Sequence, residues 1–397
     1  MIKRRNVFIG AGLIALLAAL GVSQSVLEKK ALAQGGAGIS APRFEVDPMW
    51  PKPLPNGWYI GQTIGVWADN QDHVWIIHRN DSLDAVEAAA DQTPPTGACC
   101  KKAPPIIEFD QAGNVLHAFG GPGAGYDWPD SNHGIFADTK GFVWIGGNGG
   151  SDGLVLKFTR DGKFVKQFGK KGVKADSNAT DHFYQVAKIF VDEKNNELYV
   201  ADGYGNKRFV VMDTETGVFK RFWGAYGNKP DDKDLGRYNP TAPLVQQFRN
   251  PVHCADLSVD NLVYVCDRVN DRMQVFSKDG KFVKEQQYQK DSLGDGSVWD
   301  IAFSKDPQQK YLFMSDGRNS KIRVIDRQTL QEIYNFGEGG HYPGQFYSIH
   351  SIAIDSKGNL YTTETYQGRR VQKFVAKGIG SVPRKDMGVV WPTATSR

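Results

Sequence analysis

One arrangement repeats six times along this chain, and that repetition limits the fold more than any other feature. The segments, at about 62–120, 131–169, 185–224, 250–288, 297–337 and 347–376, each carry short apolar stretches parted by Asp-Gly, Lys-Gly or Asn turns. The second shows the pattern most plainly: H-G-I-F-A-D, F-V-W-I-G-G, L-V-L-K-F and F-V-K-Q-F-G. Such a unit reads as four short strands. A lone four-stranded unit cannot bury both of its faces, so units must stack around an axis. The prediction is an all-β, six-bladed β-propeller.

The sixth segment offers only three strands, I-A-I-D, N-L-Y-T-T and R-V-Q-K-F-V. Its fourth is expected from Phe44 to Asp47, inside a linker and Pro-rich wrap at 34–58, with the tail at 386–391 as competitor. The propeller is placed at 59–378, followed by a tail at 379–397. Residues 1–33 read as a signal peptide: Lys3-Arg4-Arg5, an apolar run from Val7 to Val22, then Ala31-Leu32-Ala33 as a small-x-small cleavage site. That run is short for a membrane span. The expected product is a periplasmic or secreted protein without stable membrane insertion. The formal charge of +4 resides in the leader, where Lys3, Arg4, Arg5, Lys29 and Lys30 outnumber Glu28. A neutral mature chain gives no reason to expect nucleic acid as a partner.

Cys254 and Cys266 flank the Asp260-Asn261 turn, nearly opposite one another across a hairpin, which suits either a disulfide or two buried thiols. Cys99-Cys100, in a polar insertion at 80–104, receive no role.

Counting back five residues from the Asp or Ser that closes the first stretch gives His133 in the second segment, His253 in the fourth and His350 in the sixth. In the first, third and fifth segments the offset gives Ile64, Ala187 and Trp299. In a closed ring, alternate blades therefore point three imidazoles at one axis. Three imidazoles with an open fourth position suit catalytic zinc. The first strand starts on the face where the second strand ends. The loops after second strands hold His78-Arg79, Asp202-Gly203-Tyr204, Asp267-Arg268 and Asp316-Gly317-Arg318. Arg79 and Arg268 occupy equivalent offsets, and such a face suits a metal plus a carboxylate-bearing substrate. His73, His117, His182 and His341 fall off the offset and read as surface or loop residues. The long loops at 121–130 and 225–249 are expected to shape the site.

These residues carry a resemblance. The repeats look like NHL-type repeats, and the site resembles that of peptidyl-α-hydroxyglycine α-amidating lyases. The N-H-G-I stretch at His133, P-V-H-C-A-D with Y-V-C-D-R at His253 and Arg268, the histidine before the last inner strand at His350, D-G-Y-G-N-K-R at Tyr204 and H-R at Arg79 occur in that family's order. The resemblance covers about 60–376 and implies zinc on His133, His253 and His350. It further implies Tyr204 as catalytic base, with Arg79 and Arg268 as its arginine partners. The reaction implied is C–N cleavage of an N-acyl-α-hydroxyglycine, small or peptidyl, to an amide and glyoxylate. A separate hydroxylating monooxygenase would act upstream. Two departures stand out. Ser351 replaces an aspartate of the family's structural calcium (Ca2+) site, and Gly205 replaces a disulfide cysteine. The rivals are a metal-dependent hydrolase or lactonase on the same scaffold, and a non-catalytic NHL binding platform.

Overall fold

A computed structural model describes residues 38–174, 176–383 and 386–392; the expected leader lies outside them. Six four-stranded antiparallel sheets form the six blades, the first five running outward from the axis in chain order. The inner strands are Gln62–Ala68, Asn132–Ala137, Val186–Asp192, Val252–Leu257, Asp300–Phe303 and Ile349–Ile354. Among the described residues the helices are single 3-10 turns of three residues, and none could cross a membrane.

Blade six completes its sheet with the N-terminal strand Ile39–Asp47, which pairs with Arg370–Val382. This strand is longer than the four residues legible in the sequence. Phe44 wedges between Phe313 and Phe336 of blade five, with ring centroids 5.4 and 5.6 Å away. The first and last parts of the propeller are thus joined in one sheet, and the seam is packed as a core. The tail takes no strand in that sheet. It runs beside it, with Val46 N–H donating to the Val390 carbonyl and Asp386 bridging to Asn335.

The alternation of small and large apolar residues that marks each strand fills the gaps between blades. Trp67 of blade one meets Phe136 of blade two at 4.6 Å, and within blade three Phe190 stacks on its cross-strand partner Tyr199 at 4.7 Å. The acid that closes an inner strand is itself part of the frame. Asp69 and Asp138 accept the indole N–H of Trp75 and Trp144, both at 2.9 Å, and Asp355 accepts the Tyr361 hydroxyl at 2.9 Å. A position counted back from that acid therefore has a fixed place in the blade.

Cys254 and Cys266 face one another in register and are joined, so the first of the two alternatives holds. Cys99 and Cys100 are also joined, as a vicinal disulfide in the insertion. The insertion is tied down by parallel pairing of Trp58–Tyr59 with Lys101–Lys102. The loop at 121–130 turns away from the axis, packing Tyr126 and Trp128 against Phe158 at 5.3 and 6.2 Å.

If the N-terminal strand closes the ring, Phe44→Ala should cost about 3 to 5 kcal/mol in denaturant unfolding. The exposed Val165→Ala should stay within about 0.5 kcal/mol. A loss under about 1 kcal/mol at Phe44 would mean that the strand is dispensable.

Candidate metal centre

The inner strands bulge where they begin. Pairing with the second strand skips a residue between His133 and Ile135, Val252 and Cys254, and Ile349 and Ser351. A bulge re-aims a side chain out of the pleat, and here it turns His133, His253 and His350 toward the axis. Gly134 makes the first bulge feasible: its φ is +70°, and a Cβ there would stand 2.5 Å from the Ala187 carbonyl oxygen.

The three rings meet with centroids 4.8 to 5.3 Å apart. One ligand atom from each lies within 4.8 Å of the others, and all three residues are buried. The intervening blades orient them. The Ala187 carbonyl of blade three accepts from His133 Nδ1 at 2.9 Å, and the Trp299 carbonyl of blade five accepts from His253 Nδ1 at 2.5 Å. Ser351 Oγ accepts from His350 Nδ1 at 3.2 Å and donates to the Ile64 carbonyl of blade one at 3.1 Å. A carbonyl can only accept, so Nδ1 carries the proton in His133 and His253, and their Nε2 lone pairs are left for a ligand. Burial, then the Arg79 charge, pushes His133 down to about 3. His253 and His350 lie well below the ordinary imidazole range, chiefly through burial. Neutral imidazoles are the form a metal requires.

Tyr204 stands over this centre. Its hydroxyl is 3.2 Å from His133 Nε2, 3.1 Å from His253 Nε2, and accepts from Arg268 Nη1 at 3.2 Å. Gly203 lets the tyrosine turn lie against the strand bearing His253, since a Cβ would fall 2.1 Å from the Val252 carbonyl oxygen. Asn250 holds the turn through its amide N–H groups, which donate to the carbonyls of Gly203, Tyr204 and Asn206 at 2.8 to 3.2 Å. Gly205 faces the Tyr184 ring in place of a disulfide.

Arg268 lies 4.5 Å from the Trp299 ring and 3.5 Å from Asp295, and its buried Nε has no partner among the described residues. Arg79 donates to Gln62 at 3.1 Å, Asn148 at 2.9 Å and the Asn132 carbonyl at 3.3 Å. Its neighbour His78 is no part of the centre. Buried, it accepts from Gly61 N–H and bonds the Pro104 carbonyl, anchoring the insertion. The same turn in blades three to six is pinned by an acid–arginine pair: Asp202–Arg208, Asp267–Arg272, Asp316–Arg323 and Glu364–Arg370, at 2.6 to 2.8 Å. Losing one partner of a buried pair costs about 3 to 5 kcal/mol. These turns carry Tyr204 and Arg268.

The offset brings all three histidines to one point, and the loop reading adds Tyr204, Arg268 and Arg79 around them. Sequence reasoning missed the orienting roles of Ala187, Trp299 and Ser351, although the offset named the first two positions. It also missed Asn148, Asp295 and Tyr366, which is half-exposed at the rim within electrostatic reach of Arg268, Tyr204 and Arg79. Tyr366 follows the second strand of blade six, where the same loop logic could have found it. His73 lies in a loop and His117 is exposed, as expected, and both bond the buried Glu108 carboxylate. Asp69, His73 and Glu108 group as metal ligands might, yet Arg160 bonds all three and fills that position.

The donor set fits zinc. It does not fit calcium, which takes six to eight oxygens. The void beneath the histidines, about 10 Å³, is lined by Ser351, Lys188 and Asp300. Lys188 Nζ donates to Asp300 at 2.6 Å and to the Ile301 carbonyl at 3.2 Å, so an ammonium already balances the axial carboxylate.

No family model matches. NHL repeat-containing protein 3 of Mus musculus is 26% identical over 353 residues, 84% of each chain. The probable peptidyl-alpha-hydroxyglycine alpha-amidating lyase pgal-1 of Caenorhabditis elegans is 27% identical over 321 residues, 78% of this chain and 81% of that one. The chain is homologous to both. Peptidyl-glycine alpha-amidating monooxygenase B of Xenopus laevis shares 32% over 109 residues, 27% of this chain and 11% of that protein. Among solved structures, a streptogramin B lyase covers 84% of this chain and 98% of its own at TM-score 0.50 and 13% identity. A Bacteroides thetaiotaomicron protein of unknown function covers 85% and 77% at TM-score 0.52 and 12% identity. These two show the fold alone: a propeller.

Folded His133 stays neutral down to about pH 3, whereas an unfolded histidine takes up its proton near pH 6.5. The unfolded state therefore binds more protons between those values, and stability falls as pH drops through 6.5 toward 3. Between pH 7 and pH 5, metal-stripped wild type should lose about 2 kcal/mol more than His133→Gln in urea unfolding. Equal losses would place the wild-type imidazole in a solvated setting.

Proposed function

We propose that this protein is an exported zinc-dependent lyase that cleaves the C–N bond of an N-acyl-α-hydroxyglycine, giving an amide and glyoxylate. The observation that carries this reading is the Tyr204 hydroxyl, 3.1 to 3.2 Å from two imidazole Nε2 atoms and one guanidinium. Homology to an amidating lyase along 78% of the chain supports it. A zinc ion held by His133, His253 and His350 would supply Lewis-acid polarisation of the substrate hydroxyl.

The chain's own residues do the rest. Tyr204, beside Arg268, is the base that takes the hydroxyl proton. The hydroxyl oxygen's electron pair forms the aldehyde carbonyl, the C–N bond breaks, and the amide nitrogen leaves with that bond's pair and gains the proton that Tyr204 took. Atoms balance without water or a redox partner. Arg79, held by Gln62 and Asn148, and Arg268, seated on the Trp299 face, orient the substrate carboxylate and stabilise developing charge. The leader at 1–33 supports export, and a hydroxylating monooxygenase would have to supply the carbinolamide. A non-catalytic platform would have no use for three neutral imidazoles under a tyrosine, nor would a lactonase built on carboxylate ligands.

The test is glyoxylate release from α-hydroxyhippurate by metal-stripped and zinc-restored protein. Release should require zinc, and Tyr204→Phe should lower kcat by about 10²- to 10⁴-fold. Arg268→Met should cost roughly 3 kcal/mol in kcat/KM. Zinc bound without release would contradict the lyase reading.

A further inference from the structure

Beside the centre, on the same face, lies a second cavity of about 540 Å³. The loop at 225–249 shapes it, as expected of one of the two long inter-blade loops. Its walls include Lys207, Asp234, Arg237, Tyr238 and Arg249, with Asn250 and Val269 on the side toward the metal centre. Those two residues join the cavity to the chemistry. Asn250 holds the backbone of the Tyr204 turn, and Val269 follows Arg268 directly in the chain.

The charge in this cavity is unbalanced. Six arginines are buried: Arg208, Arg249, Arg268, Arg272, Arg323 and Arg327. Five of them have a carboxylate within 4 Å. The Arg249 guanidinium has none among the described residues: Asp267, already paired with Arg272, accepts only its backbone N–H, at 2.9 Å. It donates instead to Asn270 at 3.0 Å and to the carbonyls of Leu235 and Gly236, and it lies 5.9 Å from the Tyr238 ring. Lys207 likewise meets only the Lys233 carbonyl, and the exposed Arg237 makes no hydrogen bond or ion pair among the described residues. Asp234 is the one acid in the wall, and one of its oxygens accepts the Gly236 N–H at 2.9 Å. A buried guanidinium is costly unless paired, and three cations against one acid leave an anion to be supplied from outside.

We infer that this cavity is an acyl-side subsite that selects substrates carrying carboxylates upstream of the hydroxyglycine, as an acidic peptide does. The bound chain would leave its terminal carboxylate at Arg79 and Arg268 and extend past Tyr204 and Val269 into the cavity. Arg249, fixed by three partners, serves as the preorganised anchor, and Arg237 as the adaptable contact. The inference rests on the lyase reading for the direction of the substrate, but its test needs no turnover.

Calorimetry would compare N-acetyl-Glu-Glu-Gly with its neutral isostere N-acetyl-Gln-Gln-Gly on the zinc-loaded protein. The acidic peptide should bind about tenfold tighter at low salt, with the advantage shrinking as salt is raised. Arg237→Glu should reduce that advantage to within about threefold, and Arg237→Lys should restore most of it. Both variants should keep the wild-type melting temperature and turnover of α-hydroxyhippurate. Equal affinity for the two peptides in wild type, or a preference that survives Arg237→Glu, would overturn the subsite. Failure of α-hydroxyhippurate turnover alone would strike the lyase reading and leave the peptide preference standing.

Discussion

The site depends on one interaction made across blade boundaries. The Nδ1–H of an imidazole on one blade is held by a backbone carbonyl of the next, directly for His133 and His253 and through the Ser351 hydroxyl for His350. Each bond fixes a ring's orientation and leaves Nε2 aimed at the axis. Because the carbonyls come from blades three, five and one, the geometry exists only when the ring is closed. Ring closure in turn rests on the N-terminal strand Ile39–Asp47 in the sheet of blade six. Fold and site are therefore coupled: a change at the seam reaches the metal centre through the relative placement of neighbouring blades.

The same logic explains why a propeller can hold a reactive centre rigidly with few dedicated residues. Turns capped by Asp or Ser set where the inner strands end, bulges set where the first side chain points, and buried acid–arginine pairs set the turns above. Tyr204 and Arg268 sit on turns of that type, next to the strands that supply His133 and His253. Of the two arginines at the centre, Arg79 differs from those of the frame. Arg79 has no carboxylate within 4 Å among the described residues, being held by neutral Gln62, Asn148 and a carbonyl, so no neighbour neutralises its charge.

Much of this was legible in the sequence because repetition turns position into geometry. His133, His253 and His350 could be aligned without an alignment of relatives, since Asp138, Ser258 and Asp355 close equivalent strands. The missing fourth strand of blade six could be sought near Phe44 for the same reason. Contacts that depend on bulges and on facing blades were not legible. Nothing in the letters Ala187 or Trp299 says that their carbonyls orient histidines of the preceding repeat, because a backbone group has no sequence signature. His73 and His117 lie in a loop and at the surface as the sequence suggests, but their bonds to Glu108 were not legible because it belongs to another strand. The long loop at 121–130 was given to the site on composition alone, whereas its aromatic residues find a core against blade two.

Zinc K-edge X-ray absorption on the purified mature protein, with bound metal counted per chain, bears most directly on the claim that alternate blades build one metal centre. The account predicts one zinc per chain, with three imidazole nitrogens at about 2.0 to 2.1 Å. One imidazole should be lost in each of His133→Ala, His253→Ala and His350→Ala. A protein that binds no zinc, or one whose zinc signature is indifferent to those substitutions, would contradict it.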